Sequence, residues 1–443
     1  MCYFLCKIKI FIVFLQLLIL QSNLISCEFP NTDKKIRYLV NDDGYPFEEY
    51  ELKTQDGYIL KIHRIPGGCD KKCYKNEKNK PIVFLLHPLT QSSISWIMDG
   101  PKISLAYLLA DKGFDVWLGN NRGTIYGRDH ETLMPTSTKF WNFSWHECGI
   151  YDLPETIDFI LQKTKRKKLF FICYSQSCTE LFVMGSLMPK YNEKISLAVN
   201  LAPLVFAGNV KGINWPLGFI FAYLSGIFES TGHFDLTSSP LSSIISISLF
   251  NNRITRFLLF SLLKDSIYGF SQNDMDMTIL KKNLFLFPGG CSTKMFVHFL
   301  FGIINPGTFR QYDYGKEENL RKYGSLIPPD YPLGNVTVPM AIFSGFRDFL
   351  ATPSDIELLL KELPNVVYRH VEFSFNHADF ALANRNVRKI IYNKIIELFL
   401  NMKIFSSFNI CTKSETFKGL VENGESKIFF NSPIRNCIFS SYT

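Results

Sequence analysis

Six short apolar runs, at 81–86, 114–118, 169–174, 195–200, 339–344 and 366–373, are separated by segments in which apolar residues recur at helical spacing. A strand with no polar alternation has to be covered on both faces, and intervening helices supply that cover. The chain is therefore expected to be an α/β protein with a mostly parallel central sheet flanked by helices. Its 443 residues are 47% hydrophobic, enough to bury one large core. The alternation breaks after Pro203, and from about 205 to 306 the chain turns rich in Phe, Leu, Ile and Ser. The most apolar stretches there, Ile213 to Phe228 and Ile244 to Leu263, are interrupted by Pro216, Gly218, Asn251, Asn252 and Arg253. That argues against permanent membrane spans. The expected organisation is a core from 36–204 and 307–401, an inserted apolar cap at 205–306, and an unassigned extension at 402–443.

The run at 169–174 leads through Phe171-Ile172-Cys173-Tyr174 into Ser175-Gln176-Ser177. This is the place of a nucleophile elbow, where a serine sits on a tight strand-to-helix turn and its neighbours are crowded enough to favour glycine. Cys173 and Ser177 occupy the two glycine positions. Both are small, so the turn is expected to form in a more strained or slightly opened shape. A serine hydroxyl needs a base and an acid, which such folds deliver in the chain order Ser, Asp or Glu, His. The run at 339–344 ends in Gly345-Phe346-Arg347-Asp348, which places Asp348 as the acid. The run at 366–373 is followed by Asn376-His377-Ala378-Asp379, which places His377 as the base. His370, Asp355 and Asp379 read as structural, and His63, His130, His146, His233 and His298 precede the acid and fit the order poorly. An oxyanion hole needs two backbone donors. Gln176 follows the nucleophile and supplies one. The turn His87-Pro88-Leu89-Thr90 supplies the other from Leu89, since proline has no N–H. His87 reads as a packing and hydrogen-bonding residue of that turn.

Together with Thr54-Gln55-Asp56-Gly57-Tyr58, the segment Gly119-Asn120-Asn121-Arg122-Gly123, Phe140-Trp141-Asn142-Phe143-Ser144-Trp145 and Asn376-His377-Ala378-Asp379-Phe380, these residues make the chain resemble the acid lipase family over roughly 36 to 400. That group contains gastric and lysosomal hydrolases of triacylglycerols and cholesteryl esters. The resemblance implies an α/β-hydrolase fold with a helical cap, a triad of Ser175, Asp348 and His377, oxyanion donors Leu89 and Gln176, and no metal or cofactor. The chain departs from the family at the elbow, where Gly-His-Ser-Gln-Gly is Cys173-Tyr174-Ser175-Gln176-Ser177. It departs again at the oxyanion loop, where His-Gly-Leu is His87-Pro88-Leu89, and in a cap without recognisable paired cysteines.

Residues 1–27 carry lysines at 7 and 9, an apolar run from Ile10 to Leu20 and a polar end near Ser26. This is the pattern of a secretory signal, and the run is shorter than a membrane span requires. The chain is expected in the secretory pathway, as a secreted or lysosomal protein. Asn142 and Asn335 head glycosylation acceptor triplets. Cys69 and Cys73 bracket a polar loop and are candidates for a pair that the sequence leaves open, whereas Cys148, Cys173 and Cys178 are expected as buried thiols. No Cys/His grouping has zinc spacing. The net charge of +8 has its densest run at Lys163 to Lys168, expected to cap a helix and face solvent at the end of the sheet opposite the serine. Without a nucleic-acid module or aromatic interleaving, that charge does not indicate a nucleic-acid partner. The expected partners are a neutral lipid ester and its interface with water.

The resulting expectation is a serine ester hydrolase, a lipase, cleaving triacylglycerols or steryl esters to fatty acids through an acyl-enzyme. Two other readings stay open at this point. The replaced elbow and oxyanion residues are compatible with a lipid-binding relative that has lost turnover, and the fold also suits a carboxylesterase for small soluble esters.

Overall fold

A computed structural model of the chain describes residues 35–68, 80–216, 226, 230–235, 266–270, 289–382, 385–407, 421–422 and 425–426. The leader at 1–27, the Cys69 and Cys73 pair, the Ile244 to Leu263 run and most of 402–443 lie outside the described residues. Helix α1 (Lys35–Asp42) precedes β1 (Glu48–Lys53) and β2 (Tyr58–Ile65). The strands β3 (Ile82–Leu86), β4 (Asp115–Gly119), β6 (Leu169–Tyr174), β7 (Ile195–Leu201), β8 (Met340–Gly345) and β9 (Val366–Glu372) match the six apolar runs to within one residue. A short β5 (Asp129–His130) pairs with β2. The sheet order is β1-β2-β4-β3-β6-β7-β8-β9. Pairing is parallel from β4 to β9 and antiparallel at β1, β2 and β5. The mostly parallel sheet expected from the sequence is the one observed.

Helices α2 (Leu105–Asp111), α3 (Leu153–Thr164), α4 (Gln176–Leu187), α5 (Thr293–Ile304), α6 (Lys316–Tyr323), α7 (Pro353–Glu362), α8 (Asp379–Leu382) and α9 (Arg385–Ser407) complete the described architecture. Successive residues of β6 face opposite layers, as the strand period demands. Phe170 stacks on Phe399 of α9, with ring centroids 4.5 Å apart, and Phe171 lies 5.2 Å from Phe84 of β3. Helix α9 buries Ile391, Ile395, Ile396 and Phe399 along one stripe, and it runs on to Ser407, beyond the expected core limit at 401. The basic run lies where expected. Lys163 lies in the last turn of α3, Lys165 takes a left-handed φ of 55° as its cap, and Lys167 and Lys168 are exposed just before β6.

The β1–β2 hairpin is tied to the core by one guanidinium. Arg122, in the loop after β4, donates to Asp152 at 2.7 and 2.8 Å and to Asp56 in the hairpin turn at 2.8 Å, and it sits 4.1 Å from the Tyr58 ring centroid. Arg122 and Asp152 are both buried. Removing one partner of a buried ion pair leaves the other charge uncompensated, at about 3–5 kcal/mol. Arg122→Met is therefore expected to lower stability by about that amount, read as a lower midpoint of urea unfolding. An unchanged midpoint would mean the network contributes nothing net.

The parallel register is what assembles a site. Leu86 pairs with Cys173, Tyr174 with Leu201, Leu201 with Phe343 and Gly345 with Glu372. The carboxyl ends of β3, β6, β8 and β9 therefore lie along one edge of the sheet, and the loops that leave them are neighbours.

Candidate active site

Ser175 lies between β6 and α4 with φ 56° and ψ −114°. A non-glycine residue in that region costs about 1–3 kcal/mol and persists only where its surroundings over-determine it. Its N–H donates to Leu201 of β7 at 2.9 Å, and its carbonyl accepts from Cys178 N–H at 3.1 Å. Of the two shapes expected, the strained one forms, and hydrogen bonds hold it. The two residues in the glycine positions account for this. Ser177 Oγ accepts the Tyr174 N–H at 2.8 Å, and its proton has Leu86 O at 2.9 Å and Tyr174 O at 3.0 Å as acceptors. A side chain where little room was expected thus pins the elbow to the end of β3. Cys173 is fully buried, and its thiol faces Asn200 Oδ1 at 3.2 Å on the neighbouring strand. Among the described residues Cys148, Cys173, Cys178 and Cys291 are buried free thiols.

Asp348 and His377 meet Ser175 through two hydrogen bonds. His377 Nε2 lies 2.9 Å from Ser175 Oγ, and His377 Nδ1 lies 2.8 Å from Asp348 Oδ2. All three residues are buried. The carboxylate accepts, so Nδ1 carries the ring proton and Nε2 is left to accept from the serine. The other oxygen, Asp348 Oδ1, accepts the amides of Leu350 at 2.8 Å and Ala351 at 2.9 Å. That fixes the orientation of the acid. Gly345, at the end of β8, lies close against the loop that carries His377. A Cβ there would lie 2.5 Å from Phe375 O.

His377 is held from both sides by groups the sequence did not reveal. Tyr174 donates its hydroxyl to His377 O at 2.6 Å, and the ring of Tyr268 lies nearly parallel to the imidazole, centroids 6.2 Å apart. The carbonyl of Tyr268 accepts both the His377 N–H and the Phe349 N–H at 3.2 Å, and Gly269 O accepts from Asn376 Nδ2 at 2.7 Å. Tyr268 and Gly269 belong to the 205–306 stretch, which carries no motif. Their position after the base is a tertiary fact with no local signal.

The expected oxyanion donors sit at the ends of β3 and β6. Gln176 is the first residue of α4, and Leu89 is half-buried in the turn after His87-Pro88. Among the described residues neither amide is taken by an internal acceptor. His87 has the packing role expected of it. Its Nδ1 bonds Pro88 O at 2.9 Å and its Nε2 accepts the Asn121 N–H at 3.2 Å. Burial pushes its pKa down to about 4, so the ring is neutral. Thr352 caps the start of α7 by accepting the Asp355 N–H, the Asp355 carboxylate accepts from Asn209, and Asp379 accepts from Asn376 N–H. His63, His146 and His298 bond Ser93, Tyr331 and Ser144, away from the triad. The expected glycosylation residues are both exposed. Asn142 Oδ1 accepts from Lys294 Nζ at 2.8 Å, and Asn335 Nδ2 donates to Ser186 O at 3.1 Å.

Among the described residues, no group of three or more His, Cys, Asp or Glu side chains is placed to hold a metal ion. Nor is any described helix long and apolar enough to cross a membrane. The arrangement supplies a hydroxyl on a strained turn, an imidazole within hydrogen-bond reach and a carboxylate to orient it. These are the requirements of nucleophilic acyl transfer.

Comparison with known proteins agrees in sequence and in fold. Residues 36–100 match the model of a partial alpha/beta-hydrolase lipase region, and residues 81–383 match that of the alpha/beta hydrolase fold. Human gastric triacylglycerol lipase is 37% identical over 377 residues, covering 83% of this chain and 92% of that protein. Human lipase member K is 35% identical, covering 83% and 91%, and lipase 1 of Drosophila melanogaster is 35% identical, covering 81% and 78%. Among solved structures, a soluble variant of monoglyceride lipase from Saccharomyces cerevisiae superposes with a TM-score of 0.50 at 14% identity, covering 81% of this chain and 94% of that one. At that identity the likeness concerns the fold alone.

Proposed function

The chain belongs to the lipases of the α/β-hydrolase family, and from that premise we propose that it hydrolyses neutral lipid esters with Ser175 as nucleophile, His377 as base and Asp348 as the residue that orients the base. The observation that carries this reading is the buried relay of 2.9 and 2.8 Å hydrogen bonds from Ser175 to His377 to Asp348. Ser175 Oγ attacks the ester carbonyl while its proton passes to His377 Nε2, and the carbonyl oxygen becomes an oxyanion facing the Leu89 and Gln176 amides. Collapse expels the alcohol, which leaves with the proton from His377. Water, deprotonated in turn by His377, attacks the acyl-enzyme and releases the fatty acid and Ser175.

The hydrogen-bonded elbow favours turnover over mute lipid binding, because Ser177 fills the glycine position without displacing the nucleophile. Triacylglycerols and steryl esters are the proposed substrates, the gastric lipase relatives supporting the former. We further propose that the chain enters the secretory pathway, carries glycans at Asn142 and Asn335, and uses residues 205–306 as a cap. The test is intact-mass labelling with a fluorophosphonate, followed by turnover of emulsified triacylglycerol. One adduct per chain and fatty-acid release are expected. A folded protein that stays unlabelled would return the reading to lipid binding.

A lipid–water interface is the proposed partner, and the loops around Asp348 favour it. Phe346 is 54% exposed and Phe373 69% exposed, with ring centroids 5.4 Å apart, and Phe270 is exposed against Phe349. Phe346 lies in the acid's loop, two residues before Asp348, so these rings stand at the same edge as the triad. Fully burying a phenylalanine is worth about 1.5–3 kcal/mol, and partial insertion of two rings is worth about a factor of ten or more in interfacial binding. The double variant Phe346→Asp, Phe373→Asp is expected to lose about 10-fold on emulsified substrate while soluble short-chain esters are turned over as before. Equal losses on both would place these rings in the folded core's support and not at the interface.

A further inference from the structure

Glu180 lies on α4, one turn after Gln176, fully buried behind the elbow. Its Oε1 accepts two hydrogen bonds, from Gln176 Nε2 at 2.7 Å and from Asn121 Nδ2 at 2.6 Å. Among the described residues its Oε2 has no partner, and neither has Gln176 Oε1. Two buried acceptor oxygens thus remain on a pair of groups already joined by one hydrogen bond. A carboxylate and an amide oxygen cannot satisfy each other, because both only accept. A carboxylic acid can, since a carboxyl group and a primary amide match edge to edge, each giving one proton and taking one.

The wider network has a definite reach. Asn121 bonds Glu180 with its side chain and donates its own N–H to His87 Nε2. His87 stands two residues before Leu89. The chain Gln176, Glu180, Asn121, His87 therefore joins the two loops that carry the proposed oxyanion amides. We infer that Glu180 is a neutral carboxylic acid whose proton is donated from Oε2 to Gln176 Oε1, and that it is a positioning residue, a strut that keeps the Leu89 and Gln176 amides in register. This rests on the oxyanion assignment proposed above.

The surroundings agree. Burial pushes the Glu180 carboxyl well above the ordinary glutamate range, with Asp152 adding to the rise and Gln176, Asn121 and Arg122 opposing it. Arg122 and Asp152 face it from the β4 loop and the turn before α3, where they pair with each other. Cys148, Cys173 and Cys178 also face it, and burial pushes all three thiols up, so they are uncharged. A carboxyl whose folded pKa lies above its unfolded value of about 4.3 adds stability that is complete below that value and is lost as pH rises through the folded pKa. The strut is thus strongest in acid. Ionisation sets a carboxylate oxygen against Gln176 Oε1 and loosens it.

The test compares wild type with Glu180→Gln, which supplies a permanent proton donor in place of the acid, and with Glu180→Leu, which removes the strut. Difference infrared spectra at mildly acidic pH are expected to show a protonated-carboxyl carbonyl band in wild type that Glu180→Gln lacks. With a soluble ester, Glu180→Leu is expected to lower kcat about 10-fold with KM within about twofold. The alkaline fall in kcat is expected to be shallower in Glu180→Gln than in wild type. Ionised-carboxylate bands for Glu180 at mildly acidic pH, or coincident pH profiles for wild type and Glu180→Gln, would overturn the inference. Should Glu180→Leu fail to fold, the comparison with Glu180→Gln decides it. An absence of fluorophosphonate labelling would sink the hydrolase reading separately, while the infrared band still reports the state of Glu180.

Discussion

Ser175→Ala is expected to lower kcat for ester hydrolysis by about a thousand- to a millionfold and to abolish the fluorophosphonate adduct. The size of the effect follows from the geometry. Ser175 Oγ is the atom bonded to His377 Nε2, and the elbow holds it at a φ of 56° that only a tightly tied turn sustains. Its removal deletes the nucleophile while the ties that close the turn, Ser175 N–H to Leu201 O and Ser177 Oγ to Leu86 O, stay in place. The variant is thus expected to fold with wild-type stability or better, because its small side chain relaxes nothing but the hydrogen bond to the base. A residual rate from water and the two oxyanion amides alone sets the floor. Undiminished labelling of Ser175→Ala would move the nucleophile elsewhere in the chain.

Asp348→Asn carries the second large effect, a fall in kcat of about 10,000-fold with little change in KM. The substitution is nearly isosteric, and its consequence depends on which way the new amide lies. Asp348 Oδ1 accepts the Leu350 and Ala351 N–H groups, so the oxygen of the asparagine is held on that side. The NH2 group is thereby directed at His377 Nδ1. A nitrogen facing a donor must accept, so the imidazole proton moves to Nε2, where it points at Ser175 Oγ and the base is lost. Replacement by Glu keeps the charge but not the reach, and it is expected to recover only part of the rate. A kcat for Asp348→Asn within about tenfold of wild type would mean that His377 needs no carboxylate partner.

The sheet and the order of the triad were legible because both are written in local sequence. Strands β3, β6, β7 and β8 are covered on both faces, so each appears as an unbroken apolar run, and the loops leaving β6, β8 and the half-buried edge strand β9 carry Ser175, Asp348 and His377 in sequence order. The β1–β2 hairpin was not legible for the opposite reason. Glu48, Glu49, Glu51 and Lys53 leave β1 half-exposed with no apolar run, and its hold on the core is the Arg122 network, formed by residues far apart in the chain. The elbow was legible in part. Sequence gives the size of Ser177, but not that Leu86 O and Tyr174 N–H wait for its hydroxyl, so it admits both a strained turn and a slightly opened one, and the strained one is what forms. Glu180 and Tyr268 were silent as well. A glutamate among apolar helix residues and a tyrosine in an unpatterned insertion acquire meaning only from what the fold brings against them.

Tyr268 O binds the backbone on both sides of the relay, at Phe349 and at His377, and Gly269 O binds Asn376. The insertion is therefore not an interchangeable module resting on a finished catalyst. A chimera that takes its cap from another hydrolase, or a truncation that seeks a minimal enzyme, has to bring a carbonyl pair to the same two loops or lose the seating of its own histidine. Changes made around Tyr268 and Gly269 therefore reach the seating of His377, however far they lie from it in the chain.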